Sequence, residues 1–179
     1  MILYRHAPPA LPFLWETADQ PPARWHGADE GPAHYLADTP DGAWAEFLRH
    51  EGITTAEELA GIDRAIWAVE VPDGAVGAAA EPLLPPEILM GGIAAYEACR
   101  EEARRARRGG AVALRAPSAA LIPGGAHGWR VEAGLQQGPA RDGHVVVLFG
   151  PRPDLVGWQV VEGGRPSPDV LERVRSLSA

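Results

Sequence analysis

The fold is decided by the stretch from Arg24 to His50, which reads RWHGADEGPAHYLADTPDGAWAEFLRH. Its first half is polar and rich in turn-forming residues, and the apolar segment around Tyr35 then predicts a short strand. Thr39 is a good N-cap and Pro40 suits the first helical position, so a helix is predicted to begin there. Gly52 predicts its C-terminal end. A loop, a strand and a helix therefore follow one another at the centre of the predicted fold.

Glu46 lies beside the apolar side of this predicted helix. That side is formed by Ala43, Trp44, Phe47 and Leu48. A carboxylate at the margin of an apolar face is either a half-exposed surface group or a functional group in a cleft. Most helical glutamates have no chemical role, so this segment alone favours the surface interpretation.

Composition excludes several classes of protein. The chain has 179 residues and a formal net charge of -8, with an isoelectric point near 5.2, which argues against a nucleic-acid binder held by phosphate contacts. Cys99 is the only cysteine, so the sequence offers no disulfide framework and no cysteine-based metal site, and it points to a reducing compartment. The histidines form no pair at helical ligand spacing, so no metal is expected. Without a long apolar run, a soluble, cytoplasmic protein is expected.

The remaining segments mix strands and helices irregularly. Strands are predicted at residues 2–5, 65–71, 111–115, 129–132, 144–149 and 155–161. Helices are predicted after the capping box of Thr55 and Glu58, at residues 93–108, and after Ser167 and Pro168. Residues 7–24 and 72–86 read as loops, and residues 2–5 as an edge strand. We therefore expect one compact α+β domain over residues 1–179, with a mixed or antiparallel sheet and flanking helices.

Two further features have competing interpretations. The predicted helix contains five arginines between Arg100 and Arg108. A solvated helix end is favoured over a surface that binds an anion or a partner. Ser118 follows Pro117, which is expected to end the ladder pairing of a predicted strand and to present the serine at the strand end, and no base stands near Ser118 in the sequence. On its own, it is a turn serine rather than a nucleophile.

Three segments together resemble the RES domain, a family named for an arginine, a glutamate and a serine in this order. They are YRHA at 4–7, the stretch at 24–50, and LRAPSA at 114–119. The three named residues fall on Arg5, Glu46 and Ser118. The family's arginine-tryptophan loop and its tyrosine-leucine-alanine motif fall on Arg24, Trp25, Tyr35, Leu36 and Ala37.

The resemblance is strongest over residues 1–120, and residues 121–179 read as a divergent C-terminal part. His26 stands where the family usually has asparagine. The segment IPGGAHGWRV after Ser118 replaces an asparagine-rich one.

The resemblance implies a fold similar to ADP-ribosyltransferases and an NAD-consuming toxin of a toxin-antitoxin pair. Such an enzyme cleaves the nicotinamide-ribose bond by attack of water or phosphate, with NAD as the substrate and without a metal. Glu46 would stabilise the positive charge that develops on the ribose. Arg5 and Arg24 would bind the diphosphate, Tyr35 would stack on or orient the nicotinamide side, and Ser118 would donate a hydrogen bond.

Two alternatives stay open at this point. The protein could transfer ADP-ribose to a protein target, or it could be a non-catalytic RES-like interaction module. The partner implied by the resemblance is a cognate Xre-like antitoxin that occupies the cleft and recognises DNA, while this chain binds neither DNA nor membrane. Homo-oligomer formation is left open.

Overall fold

The computed structural model describes residues 1–17 and 19–177, and its main feature is an antiparallel sheet of six strands in the order β4-β7-β2-β1-β3-β8. The strands are β1 (Ile2–Ala7), β2 (Ala33–Ala37), β3 (Arg64–Glu70), β4 (Ala113–Pro117), β5 (Trp129–Val131), β6 (Leu135–Gln137), β7 (His144–Phe149) and β8 (Val156–Gly164). The helices are α1 (Pro40–Glu51), α2 (Asp73–Gly77), α3 (Pro86–Leu89) and α4 (Tyr96–Arg108). Strands β5 and β6 form a separate hairpin. The predicted α+β class is confirmed.

Helix α1 begins and ends where its sequence predicts. The side chain of Thr39 accepts a hydrogen bond from the Gly42 N–H at 2.9 Å, and Gly52 takes the left-handed conformation at φ 67°. The apolar face of α1, which includes Phe47 and Leu48, packs on Ile66 of β3. Burying each such side chain contributes roughly 1.5–3 kcal/mol, so packing fixes the orientation of the helix on the sheet.

Helix α4 covers the neighbouring part of the sheet. Cys99 and Ala103 are buried on its inner side, in the same cluster as Trp25 and Val147. The outer side carries the arginines, and three of them pair with carboxylates: Arg100 with Glu97, Arg104 with Glu30, Glu97 and Glu101, and Arg105 with Glu102. The interpretation of this segment as a solvated helix end stays a prediction, because Arg105 and Arg108 are exposed but Arg100, Arg104 and Arg107 are half-buried.

Strand β1 is not at the edge of the sheet, as its short apolar sequence predicted, but lies between β2 and β3. The true edges are β4 and β8, which are distant from β1 along the chain. The stretch 72–86 is not one loop either, because it contains α2 and the start of α3.

The predicted C-terminal helix is shorter than its apolar spacing suggested. The 3₁₀ helix Pro168–Arg173 replaces it, and Val174 is extended and bridges Leu121. Pairing with that residue takes the place of a further helical turn. In the described part of the chain, no helix has the length and apolar character that crossing a membrane requires.

Candidate functional site

A cavity opens where β1 and β2 separate. Strand β1 pairs with β3 at six positions but with β2 at one, between Tyr4 and Ala37. From that pair onward, consecutive residues of both strands line the cavity. They are Tyr4, Arg5 and His6 from β1, and Tyr35, Leu36 and Ala37 from β2. Successive strand residues point to opposite faces, so the cavity lies in the gap between the two strands. Helix α1 closes one side with Glu46 and Arg49.

The carboxylate of Glu46 is held by Ser118. The Ser118 hydroxyl donates to Glu46 Oε1 at 2.8 Å and accepts the N–H groups of Ala120 and Leu121 at 3.2 and 3.3 Å. Ladder pairing continues through Pro117, and the Ser118 N–H donates to the Gly143 carbonyl at 2.8 Å. The expectation that the proline ends the pairing is therefore wrong. The continued pairing fixes Ser118 behind Glu46, with its side chain 5% exposed.

Burial makes Glu46 a weaker acid than an ordinary glutamic acid. Loss of solvation raises the pKa of its carboxyl group, and the hydrogen bond from Ser118 and the charges of Arg49 and Arg24 counteract part of that rise. These groups, together with the Ala120 N–H, favour the negatively charged form of the carboxyl group. This is the environment in which a carboxylate stabilises a positive centre strongly, because little water screens it.

Arg5 lines the same cavity with hydrogen-bonding capacity to spare. Its Nη1 atom is buried and has no hydrogen-bond partner among the described residues. Burial lowers the pKa of Arg5 to about 10, so the guanidinium group stays charged at neutral pH. A buried donor without a partner is costly, and an anion entering the cavity would satisfy it.

Arg24 also lines the cavity, but its terminal nitrogens donate to main-chain carbonyls. Nη1 lies 3.2 Å from the Leu89 oxygen, and Nη2 lies 2.7 Å from the Gly91 oxygen. Its guanidinium group stacks on the Tyr96 ring at 4.6 Å. The role of Arg24 on a diphosphate stays a prediction, because these contacts use the nitrogens that would bind it.

Tyr35 is fixed at its hydroxyl end. The oxygen accepts the Trp25 N–H at 2.9 Å and lies 2.9 Å from His26 Nδ1. The direction of the hydrogen bond between this hydroxyl and His26 Nδ1 depends on the tautomer of the imidazole, but in either direction it holds the Tyr35 oxygen in place. Burial raises the pKa of Tyr35, which keeps the phenol neutral. The ring, rather than the hydroxyl, is therefore what Tyr35 can offer a ligand.

Sequence reasoning missed several residues that line the cavity, among them Arg49 and His6. Arg49 is 5% exposed, and its position one turn after Glu46 in α1 was the available signal. His6 follows Arg5 directly, and burial lowers the pKa of its ring to about 3, so it is neutral. Among the described residues that line the cavity, Arg5, Arg24 and Arg49 face a single carboxylate, Glu46. The cavity therefore carries excess positive charge in a chain of net charge -8.

The sequence-predicted residues thus come together. Arg5, Arg24, Tyr35 and Glu46 line one cavity, and Ser118 supports Glu46 from behind. Among residues 1–17 and 19–177, no group of three or more His, Cys, Asp and Glu side chains could hold a metal ion.

A family model described as the RES domain matches residues 2–161. The chain belongs to the RES domain family. The matched range contains the five predicted site residues, which are Arg5, Arg24, Tyr35, Glu46 and Ser118. It also runs past residue 120, through most of β8. No curated protein sequence matches the chain. Membership in the RES domain family is consistent with a toxin-like or NAD-related role.

For the enzymatic activity that is proposed below, replacing Ser118 by Ala is expected to reduce kcat/KM by at least about tenfold, since a hydrogen bond to a charged group contributes about 1.5–3 kcal/mol. The lost donor also removes one of the contacts that keep the pKa of Glu46 down. The low-pH limb of the activity profile should therefore move to higher pH. A pH profile of kcat/KM measures this, and an unmoved limb in a folded variant would contradict the assigned contact.

Proposed function

We propose that this RES domain is an NAD-consuming enzyme that cleaves the nicotinamide-ribose bond by attack of water or phosphate. The observation that carries the proposal is the half-buried Glu46 carboxylate, held by Ser118 in the same cavity as an Arg5 guanidinium nitrogen that has no hydrogen-bond partner among the described residues. The Glu46 carboxylate suits a cationic transition state, and the Arg5 guanidinium suits an anionic substrate.

The chemistry requires few groups. The glycosidic bond breaks with its electron pair going to the nicotinamide nitrogen, which loses its positive charge, so the leaving group needs no acid. The ribose carbon that remains is electron-poor and resembles an oxocarbenium ion. A fixed carboxylate stabilises that centre directly or through the ribose hydroxyls, and Glu46 is the carboxylate available in the cavity.

The remaining groups bind and orient the substrate in this proposal. Arg5 binds the diphosphate by charge-assisted hydrogen bonds. Tyr35 presents its ring to the nicotinamide side, since its hydroxyl is used by Trp25 and His26. Arg24 contributes its positive charge to the diphosphate end, and its hydrogen bonds hold the turn at Gly91.

A toxin role is part of the proposal. Production of the protein in cells is expected to lower NAD and to stop growth, and production of the Glu46→Gln variant at the same level is expected to do neither. A separate antitoxin would block the cavity and would carry any recognition of DNA. Unchanged NAD in cells that hold folded protein would contradict the proposal.

The acceptor is identified from the product. NAD labelled in its adenine ring is incubated with the purified protein, with and without inorganic phosphate, and the products are separated by chromatography. Free ADP-ribose or its phosphate ester supports the proposal and names the acceptor. Label retained on a protein would instead support ADP-ribosyl transfer, and intact NAD would support a non-catalytic interaction module.

A further inference from the structure

We propose that Arg49 is a positioning residue of this site, which joins three chain segments around Glu46 and supplies positive charge that this carboxylate faces. Its catalytic consequence rests on the proposed function, whereas its structural and electrostatic effects do not. Arg49 is not among the residues to which the RES-domain resemblance assigns a role in the site.

The contacts of Arg49 connect segments that are distant along the chain. From α1, Nη1 donates to the Ala119 carbonyl at 2.5 Å, next to the serine that holds Glu46. Nη2 donates to the Met90 and Gly91 carbonyls at 3.0 and 3.1 Å. One side chain therefore links the helix that carries Glu46, the segment after β4, and the turn before α4.

In the turn that Arg49 contacts, Gly91 packs closely against neighbouring residues. A Cβ atom on Gly91 would lie 2.7 Å from Ala95 Cβ and 2.9 Å from the Glu87 carbonyl oxygen, so no larger residue fits. This packing presents the Gly91 carbonyl to two guanidinium groups at once, from Arg49 at 3.1 Å and Arg24 at 2.7 Å. Only a planar group with several fixed donors can hold carbonyls on two sides in this way, so lysine is not equivalent.

Within residues 1–17 and 19–177, the hydrogen bonds of Arg49 go to neutral oxygens, so they leave its charge uncompensated. The carboxylate that shares the cavity with it is Glu46, three residues earlier on α1. The groups that act on Glu46 are the Ser118 hydroxyl, the guanidinium groups of Arg49 and Arg24, and the Ala120 N–H. Removing the charge of Arg49 should therefore make Glu46 a still weaker acid.

We call the three hydrogen bonds from Arg49 to the Ala119, Met90 and Gly91 carbonyls the clamp. Two substitutions separate the effect of this clamp from the effect of the positive charge. Arg49→Lys keeps the positive charge but loses the planar guanidinium group with its several donors. Arg49→Gln loses the positive charge but keeps a hydrogen-bond donor on a shorter side chain. Arg108→Gln, at an exposed position at the end of α4, is the matched control. Carbon NMR of glutamate-labelled, ligand-free protein follows the titration of Glu46, whose signal is identified by its absence from Glu46→Gln. Urea unfolding measures stability, and kcat/KM against pH measures the consequence.

Arg49→Gln is expected to move the Glu46 titration and the low-pH activity limb to higher pH, and Arg108→Gln to leave both unchanged. Arg49→Lys is expected to titrate like wild type and to unfold at lower urea, because the carbonyls lose donors. An unmoved Glu46 titration in folded Arg49→Gln overturns the electrostatic part. If that variant does not fold, wild-type stability of Arg49→Lys overturns the clamp.

The two proposals fail in different ways. Wild-type protein that leaves NAD intact, combined with the expected shift of Glu46 in Arg49→Gln, would overturn the proposed function and leave the positioning role standing. If wild-type protein cleaves NAD, but the Glu46 titration and the stability are unchanged in Arg49→Gln and Arg49→Lys, the positioning role is overturned and the proposed function stands.

Discussion

Replacing Glu46 by Gln is expected to lower kcat for NAD cleavage about 100-fold, with a smaller change in KM. The amide keeps the shape of the side chain and can still contact Ser118, so the change removes charge and little else. Losing one preorganised electrostatic partner of the transition state typically costs on the order of 3 kcal/mol. The effect should appear in kcat, because the positive charge on the ribose develops only as the bond breaks.

Glu51→Gln, at an exposed position at the end of the same helix, is the matched control and should retain wild-type kcat. Steady-state kinetics on both variants, with folding checked by circular dichroism, makes the comparison. A folded Glu46→Gln variant near wild type, alongside an inactive Ser118→Ala variant and a ribosyl adduct on Ser118, would reverse the two roles.

Replacing Arg5 by Gln is expected to lower kcat/KM about 30-fold, mostly by raising KM. A charge-assisted hydrogen bond contributes about 1.5–3 kcal/mol, and Arg5 has a buried nitrogen, without a partner in the described part of the chain, that can make one. The diphosphate keeps its charge throughout the reaction, so the contact stabilises bound substrate and transition state alike.

Arg24→Gln is the informative comparison, because its nitrogens already bind the Leu89 and Gly91 carbonyls. It should lower the urea midpoint of unfolding more than Arg5→Gln does. Binding of ADP-ribose to both variants, measured by calorimetry, completes the test. Unchanged affinity in Arg5→Gln would exclude its contact with the diphosphate.

Two kinds of sequence pattern made parts of the site predictable: helix caps, which neighbouring residues determine, and the order of the RES-domain residues along the chain. Thr39 and Gly52 fix the ends of α1 through cap geometry that neighbouring residues decide, so the position of Glu46 on a helix could be predicted. The order of Arg5, Glu46 and Ser118 predicted a common site, and the cavity brings these residues together.

The clamp and the place of β1 were not predictable, because both depend on long-range contacts. Arg49 reads as an ordinary basic residue near a helix C-terminus until Ala119 and Gly91 are brought to it by the fold. The short apolar sequence of β1 reads as an edge strand, yet pairing with β3 on one side and briefly with β2 on the other makes it central. Tyr35 shows the same limit, since its fixed hydroxyl depends on His26.

The most direct test of the account is the rate of nicotinamide release from NAD by purified wild-type protein, with Glu46→Gln and Glu51→Gln beside it. We expect steady release by wild type and Glu51→Gln, and release slowed about 100-fold by Glu46→Gln. Absence of release by folded wild-type protein, or equal release by all three proteins, would contradict the assignment of Glu46 as the carboxylate that drives the cleavage.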